Sequence, residues 1–446
     1  MTDLFAARSM MAMALAFHIV FACVGMGMPI LMVMAEGLWL RTGNPVYLDL
    51  AKRWSKGTAV LFAVGAVTGT VLSFELGLLW PGFMEYAGSI IGMPFSLEGF
   101  AFFLEAIFLG ITLYGWDRVG RRFHLFSGMM VALSGTMSAV FVVTANAWMN
   151  CPTGFLMSGD RVVTDIEPIG AMLNPAAFTE VLHVVLSAFV AVGFAVAGVH
   201  AWVLLKRGDS EFHRRAFGLA LGLGAVFALL TPLSGDLSAK HVAAWQPVKL
   251  AALEGQFETE RGAPLRLGGW PDEARGETRW SIDLPKGLSF LAYGDFDAEV
   301  KGLHAFPEED RPPVAVVHLA FQLMVACGSA LALFGLTFLF LLVRRRRVPL
   351  QRGLLRAAVL CAPLGFVAIE AGWTVTEVGR QPWVVVGFLR TAEAVTPMPH
   401  LQLPFAMFAA LFLFLGVMVV VLLKRMVFAS PGAEPTDPEP EREVQP

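Results

Sequence analysis

Met13-Ala-Leu-Ala-Phe-His-Ile-Val-Phe-Ala-Cys-Val-Gly-Met-Gly-Met-Pro-Ile-Leu-Met-Val-Met-Ala35 holds one strongly polar side chain, His18, in an otherwise apolar run. At about 1.5 Å per residue, a helix over this run crosses a hydrocarbon core roughly 30 Å thick. Runs of similar character recur at 58–79, 95–115, 125–148, 181–205, 216–234, 314–343, 355–375 and 403–423. The expected fold is therefore all-α, a polytopic membrane bundle of nine transmembrane helices. Composition agrees: the 446 residues are 56% apolar and 15% charged, with a mean hydropathy of +0.64, outside the range of soluble globular domains.

Several classes are excluded by the same reading. The net charge of -3 comes with basic residues confined to short clusters between apolar runs, so no nucleic-acid partner is expected. Cys23, Cys151, Cys327 and Cys361 are scattered without CxxC or metal-finger spacing, so no disulfide framework is implied. Met1 to Arg8 does not read as a cleavable signal, because the apolar run that follows is long enough to span.

Basic residues set the expected orientation. Arg41, Lys52, Arg53 and Lys56 follow the first run; Arg118, Arg121 and Arg122 the third; Lys206, Arg207, Arg214 and Arg215 the fifth; Arg344 to Arg347, Arg352 and Arg356 the seventh. The intervening connections are poor in them, with Arg161 alone between the fourth and fifth runs. The N-terminus is thus expected outside and the C-terminus in the cytoplasm. The expected organisation is helices one to six over 1–234, an outer polar segment at 235–313, helices seven to nine over 314–428, and a Pro/Glu-rich disordered cytoplasmic tail at 429–446.

Polar residues within such runs are costly, about 2.5–3.5 kcal/mol for a charge at the centre, and are retained where they pair or do chemistry. On the hydropathy boundaries, His18 falls in the outer third of helix one, Glu98 and Glu105 in the outer half of helix three, and His183 at the outer start of helix five. Met324 falls in the outer half of helix seven, with Glu377 and Arg380 just past helix eight. That common depth suggests one buried site. An imidazole and a thioether on different helices, such as His183 and Met324, suit the two axial positions of a haem, although a lone histidine more often makes an interhelical hydrogen bond and a methionine more often packs. Glu98 and Glu105, two turns apart, share a helix face, where one of two buried carboxylates stays protonated.

Five motifs then stand in order: Leu97-Glu-Gly-Phe-Ala-Phe-Phe-Leu-Glu105, Ala145-Asn-Ala-Trp-Met149, Lys249-Leu-Ala-Ala-Leu-Glu254, Met324-Val-Ala-Cys-Gly328, and Glu370-Ala-Gly-Trp373 with Gly379-Arg-Gln-Pro-Trp383. On these the sequence resembles subunit I of cytochrome bd-type quinol oxidases over nearly its whole length. The resemblance implies a multi-pass protein of the bacterial cytoplasmic membrane that oxidises quinol at the outer face and reduces dioxygen to water, building a proton-motive force without a pump. It implies a low-spin haem b on His183 and Met324. It also implies a high-spin haem b, and a haem d or a haem b in its place, with His18 and Glu377 as their axial ligands in an order left open.

By the same resemblance, Glu98 lies at the oxygen-reducing haem, Glu105 and Ser138 lie on a proton route to it, and Arg8, Asn146, Trp373 and Arg380 line haem edges or propionates. Lys249 and Glu254 bind and deprotonate quinol. A second membrane subunit is the implied partner, with a small single-helix subunit left open. Two departures stand out: Gln322 occupies a position where the family commonly has Arg, and Glu75-Leu-Gly-Leu-Leu-Trp-Pro81 resembles the cyanide-insensitive branch. The outer segment is short, as in the short quinol-loop members. Quinone type stays open. The rivals are a b-type haem quinol dehydrogenase with another acceptor, which lacks the site of His18, Glu98 and Glu377, and a proton-coupled transporter, which should show paired broken helices or an inverted repeat; neither sign is seen.

Overall fold

The computed structural model describes residues 2–158 and 162–425. Arg161 and the tail at 429–446 lie outside the described residues, as do the last positions of the expected 314–428 segment. Among the described residues, nine helices are long and apolar enough to cross a membrane: α1 (Asp3–Thr42), α2 (Pro45–Leu79), α3 (Pro81–Tyr114), α4 (Arg121–Asn150), α5 (Ala177–Arg207), α6 (Glu211–Trp245), α7 (Val314–Arg345), α8 (Arg352–Val378) and α9 (Gln402–Leu423).

Local chemistry sets the joints. Between α1 and α2, Gly43 ends one helix at φ 69°, Asn44 accepts a hydrogen bond from Val46 N, and Pro45 opens the next. Glycine tolerates that left-handed turn, and proline at the first helical position loses no hydrogen bond. The segments Arg352–Cys361 and Leu364–Val378 that make up α8 meet at Ala362 and Pro363, where the missing proline N–H interrupts the ladder. Helices pair in sequence, α1 with α2, α3 with α4, α5 with α6 and α7 with α8; α1, α4 and α5 pack on one another at the centre, and α9 lies against α1 and α2. At the α5–α6 crossing, a Cβ on Gly193 would come within 2.6 Å of the Gly224 backbone, so small residues set that approach.

Two helices reach beyond their hydropathy boundaries. α3 begins at Pro81, not 95, and carries Pro94 in its interior; α6 continues to Trp245, so the segment expected from 235 starts as helix. Hydropathy marks what dissolves in lipid, and a helix can emerge from it. The depths shift accordingly. Glu98 sits near the middle of α3 and Glu105 in its half toward the basic loops, while His18 is only just short of the middle of α1. His183 and Met324 remain in the halves away from the basic loops.

Residues 246–313 form a lobe at that opposite end. It has more regular structure than its composition suggests: a helix at Pro247–Glu254, another at Gly287–Tyr293, and antiparallel strand pairs Glu260–Arg261 with Glu299–Val300, Leu265–Leu267 with Ile282–Leu284, and Trp270–Asp272 with Glu277–Arg279. Ala251, Leu253, Phe257 and Leu303 pack on Val314, Val317 and Val375, seating the lobe on α7 and α8.

Candidate functional site

His18 and His183 are held in the same way. His18 Nδ1 lies 3.0 Å from Thr68 Oγ1 on α2, and that hydroxyl donates to the Val64 and Gly65 carbonyls of its own helix. His183 Nδ1 lies 2.9 Å from Ser234 Oγ on α6, which donates to the Thr231 carbonyl. With the hydroxyl hydrogen directed to its own helix, the oxygen is placed to accept a hydrogen from Nδ1. Nε2 is left with its lone pair, the form that binds a metal. Glycines give both rings room: a Cβ on Gly69 would fall 3.1 Å from His18 Cε1, and one on Gly235 3.5 Å from His183 Cε1. Met324 has the same allowance, since a Cβ on Gly372 of α8 would fall 3.0 Å from its Sδ. Trp373 packs with Ile19, Phe189 and Ile369 where α1, α5 and α8 meet.

Glu377 sits in a cluster drawn from four segments. Asn146 Nδ2 donates to Oε1 at 2.5 Å and Arg380 Nη2 to Oε2 at 2.5 Å. Arg380 is 4% exposed, yet its Nε and Nη1 have no protein partner. Two residues that the motifs did not single out extend the network: Asn150 Nδ2 donates to Glu180 Oε1 at 3.2 Å, and Lys249 Nζ donates to Asn150 Oδ1 at 2.7 Å. Asn150 lies one turn beyond Asn146, and Glu180 is an acid at the start of an apolar run; either sign was available in the sequence. Glu180 and Glu377 balance Lys249 and Arg380 in charge, which offsets part of the cost of burying them. Arg8, by contrast, is exposed at the start of α1.

About two turns back along α4 from Asn146, Ser138 Oγ donates to Glu98 Oε1 at 3.2 Å. Glu105, 5% exposed, rests between helices at Gly25 and Gly135; Cβ atoms there would lie 3.6 and 3.1 Å from its Oε1. Glu75, 1% exposed, buries both carboxylate oxygens without a partner. It lies two turns from Thr68 on one face of α2 and was read from the sequence only as part of a branch pattern.

Lys249 and Glu254 share a short helix but point apart, being roughly 140° around it. Lys249 joins the Glu377 cluster, and burial lowers its ammonium to about 8. Glu254, 4% exposed with Oε2 unpartnered, has its carboxyl pushed up to about 8 by burial, against the opposing pull of Arg266. Gln322 serves the lobe: its Oε1 accepts from Gly268 N at 2.9 Å and its Nε2 donates to the Arg266 carbonyl at 3.0 Å.

Comparison with known proteins bears on this arrangement as a whole. The family profile described as cytochrome bd terminal oxidase subunit I matches residues 6–431. The chain belongs to the cytochrome bd oxidase subunit I family. It is 38% identical over 95% of its length to the putative cytochrome bd menaquinol oxidase subunit I of Bacillus subtilis (strain 168), covering 96% of that protein. It is 33% identical to the cytochrome bd ubiquinol oxidase subunit 1 of the same organism, over 97% of this chain and 95% of that one. Among solved structures, the bd oxidase from Geobacillus thermodenitrificans superposes with a TM-score of 0.91 at 38% identity, covering 96% of this chain and 99% of that one.

As a cytochrome bd subunit I the chain is a multi-pass bacterial inner-membrane protein of the respiratory chain, from a family of haem-containing quinol oxidases whose subunit I pairs with a subunit II. The side chains described above fit haem on chemical grounds. Two histidines each free one nitrogen, a thioether and a carboxylate stand available, and the buried Arg380 guanidinium keeps two donors for an anion such as a propionate.

Proposed function

We propose that this subunit carries the haems that take electrons from quinol and pass them to dioxygen, with water as product. The observation that carries the reading is the repeated hydroxyl tether, which engages Nδ1 of both His18 and His183 and leaves Nε2 of each as the nitrogen open to a metal. His183 and Met324 would hold a low-spin haem b. His18 and Glu377 would each serve one of two high-spin haems, a haem b and a haem d or its b-type replacement. Haem supplies one-electron carriage and a seat for dioxygen. Asn146 and Arg380 fix the Glu377 carboxylate through one hydrogen bond on each oxygen, leaving each a lone pair, and Trp373 and Arg380 border the haem edges and propionates.

Lys249 and Glu254 are the candidate quinol residues, in the 235–313 segment. Glu254 would accept a quinol hydroxyl proton once its own carboxyl is ionised. The Bacillus subtilis relatives are named for menaquinol and for ubiquinol, so quinol as a class is what carries across. Glu98, with Ser138 donating to it, would supply protons at the oxygen-reducing haem, and Glu105 would feed it. The basic loops argue for an outer N-terminus, an outer lobe and a cytoplasmic C-terminus. Protons released from quinol then leave outside and protons consumed at oxygen come from inside, so charge is separated without a pump. A subunit II completes the enzyme, with room for a small single-helix subunit.

The test is quinol-driven oxygen consumption by the purified complex in proteoliposomes. Lys249→Ala and Glu254→Ala should each slow turnover with the haem spectrum intact. Unchanged turnover in both would remove the quinol assignment.

A further inference from the structure

Toward the basic loops lies a carboxylate and imidazole pair that none of the roles above uses. Glu36 of α1 and His124 of α4 are each 2% exposed, with Glu36 Oε1 2.8 Å from His124 Nδ1. The second ring nitrogen, Nε2, lies 3.0 Å from the Thr112 carbonyl oxygen on α3. A carbonyl only accepts, so Nε2 carries a hydrogen. Nδ1 and Oε1 then need another hydrogen between them, because two bare lone pairs at that separation repel. The pair can therefore carry one proton beyond a carboxylate and a neutral imidazole, shared along a single hydrogen bond.

It lies between a surface cavity and Glu105. Trp116 stacks on His124 with ring centroids 4.0 Å apart, and Trp116 also lines a cavity of about 340 Å³ whose charged walls are Lys52, Lys56, Asp117 and Arg118. In the other direction Glu36 Oε2 lies 4.0 Å from where Gly128 would carry a Cβ, and Glu105 Oε1 lies 3.1 Å from the same position on Gly135. The two carboxylates thus rest against α4 glycines seven residues apart, about 10 Å along the helix. Roughly four hydrogen-bonded steps of ~2.8 Å would cover that span.

We propose that Glu36 and His124 form a proton relay that takes protons from the Lys52–Arg118 cavity and passes them to Glu105 and on to Glu98. It rests on the reading that oxygen reduction draws its protons from the side of the basic loops. In each cycle the pair gives one proton toward Glu105, becoming carboxylate and neutral imidazole, and regains one from the cavity; no electron moves and no other bond changes.

The experiment follows proton uptake, with a pH dye, when the fully reduced purified oxidase meets dioxygen. Glu36→Gln should slow uptake on the order of a hundredfold, while the haem spectrum and anaerobic haem reduction by quinol stay as in the wild type; Glu36→Asp should recover much of the rate. Uptake at the wild-type rate in Glu36→Gln would overturn the relay. So would haem spectrum and quinol-driven reduction falling together with uptake, the mark of a merely structural pair. Should Glu36→Gln fail to assemble, Lys56→Cys tests the approach at an exposed position: a bulky maleimide there should slow uptake relative to the unlabelled protein, and an unchanged rate would overturn the proposal. A wild-type enzyme in vesicles that takes no protons from the basic-loop side would instead sink the reading of function on which the relay rests.

Discussion

Thr68 and Ser234 stand to His18 and His183 as a carboxylate does to many metal-bound histidines: each engages Nδ1 and so leaves Nε2 as the nitrogen open to a metal. Thr68→Val keeps the shape and removes the acceptor, and an outer partner of this kind typically costs about 10–100-fold in metal affinity. We expect less haem per protein in Thr68→Val and recovery in Thr68→Ser, measured as pyridine haemochrome; equal haem in all three would remove the tether's role. Gly372→Val should displace the Met324 thioether, whose Sδ is already 3.0 Å from a first Cβ, and change the low-spin signal in the reduced spectrum. The motif residues Asn146, Glu377 and Arg380 were legible in the sequence, and the structure brings them into contact. Thr68 and Ser234 were not, because a hydroxyl in a membrane helix usually bonds back to its own backbone, and both of these also do. Only a histidine arriving from another helix distinguishes them.

The nine membrane-length helices among the described residues were legible because each contains a spanning apolar run, whereas their ends were not. Residues 81–94 contain Glu85, Pro94 and three glycines, which lower hydropathy without breaking the helix. Gln322 adds polar contacts to the apolar seat of the lobe on α7 and α8. Gln322→Ala removes two hydrogen bonds between α7 and the lobe, a loss of about 1–3 kcal/mol, and should raise the rate at which protease cuts the lobe in the purified complex. Glu254 ties the lobe's chemistry to pH. Its carboxyl, raised from 4.5 to about 8, favours the folded state at low pH, and that contribution is lost as pH rises through the interval. Over the same interval the carboxylate needed as a base appears. Anaerobic haem reduction by quinol should therefore rise between pH 7 and 9, and the rise should be missing in Glu254→Gln.

At the scale of the molecule, α1, α4 and α5 pack on one another, so the Glu377 cluster and the Glu98–Glu105 face belong to one interior. The Glu377 cluster lies at the lobe end, and the Glu36–His124 pair toward the basic loops. That arrangement suits an enzyme which releases protons on one side and consumes them from the other. Its central claim is that these side chains hold haem. The dithionite-reduced minus oxidised spectrum of the purified complex, wild type beside His183→Leu, tests it most directly. Haem bands are expected in the wild type, with selective loss of the low-spin band in the variant; a folded wild-type preparation without colour would rule haem binding out.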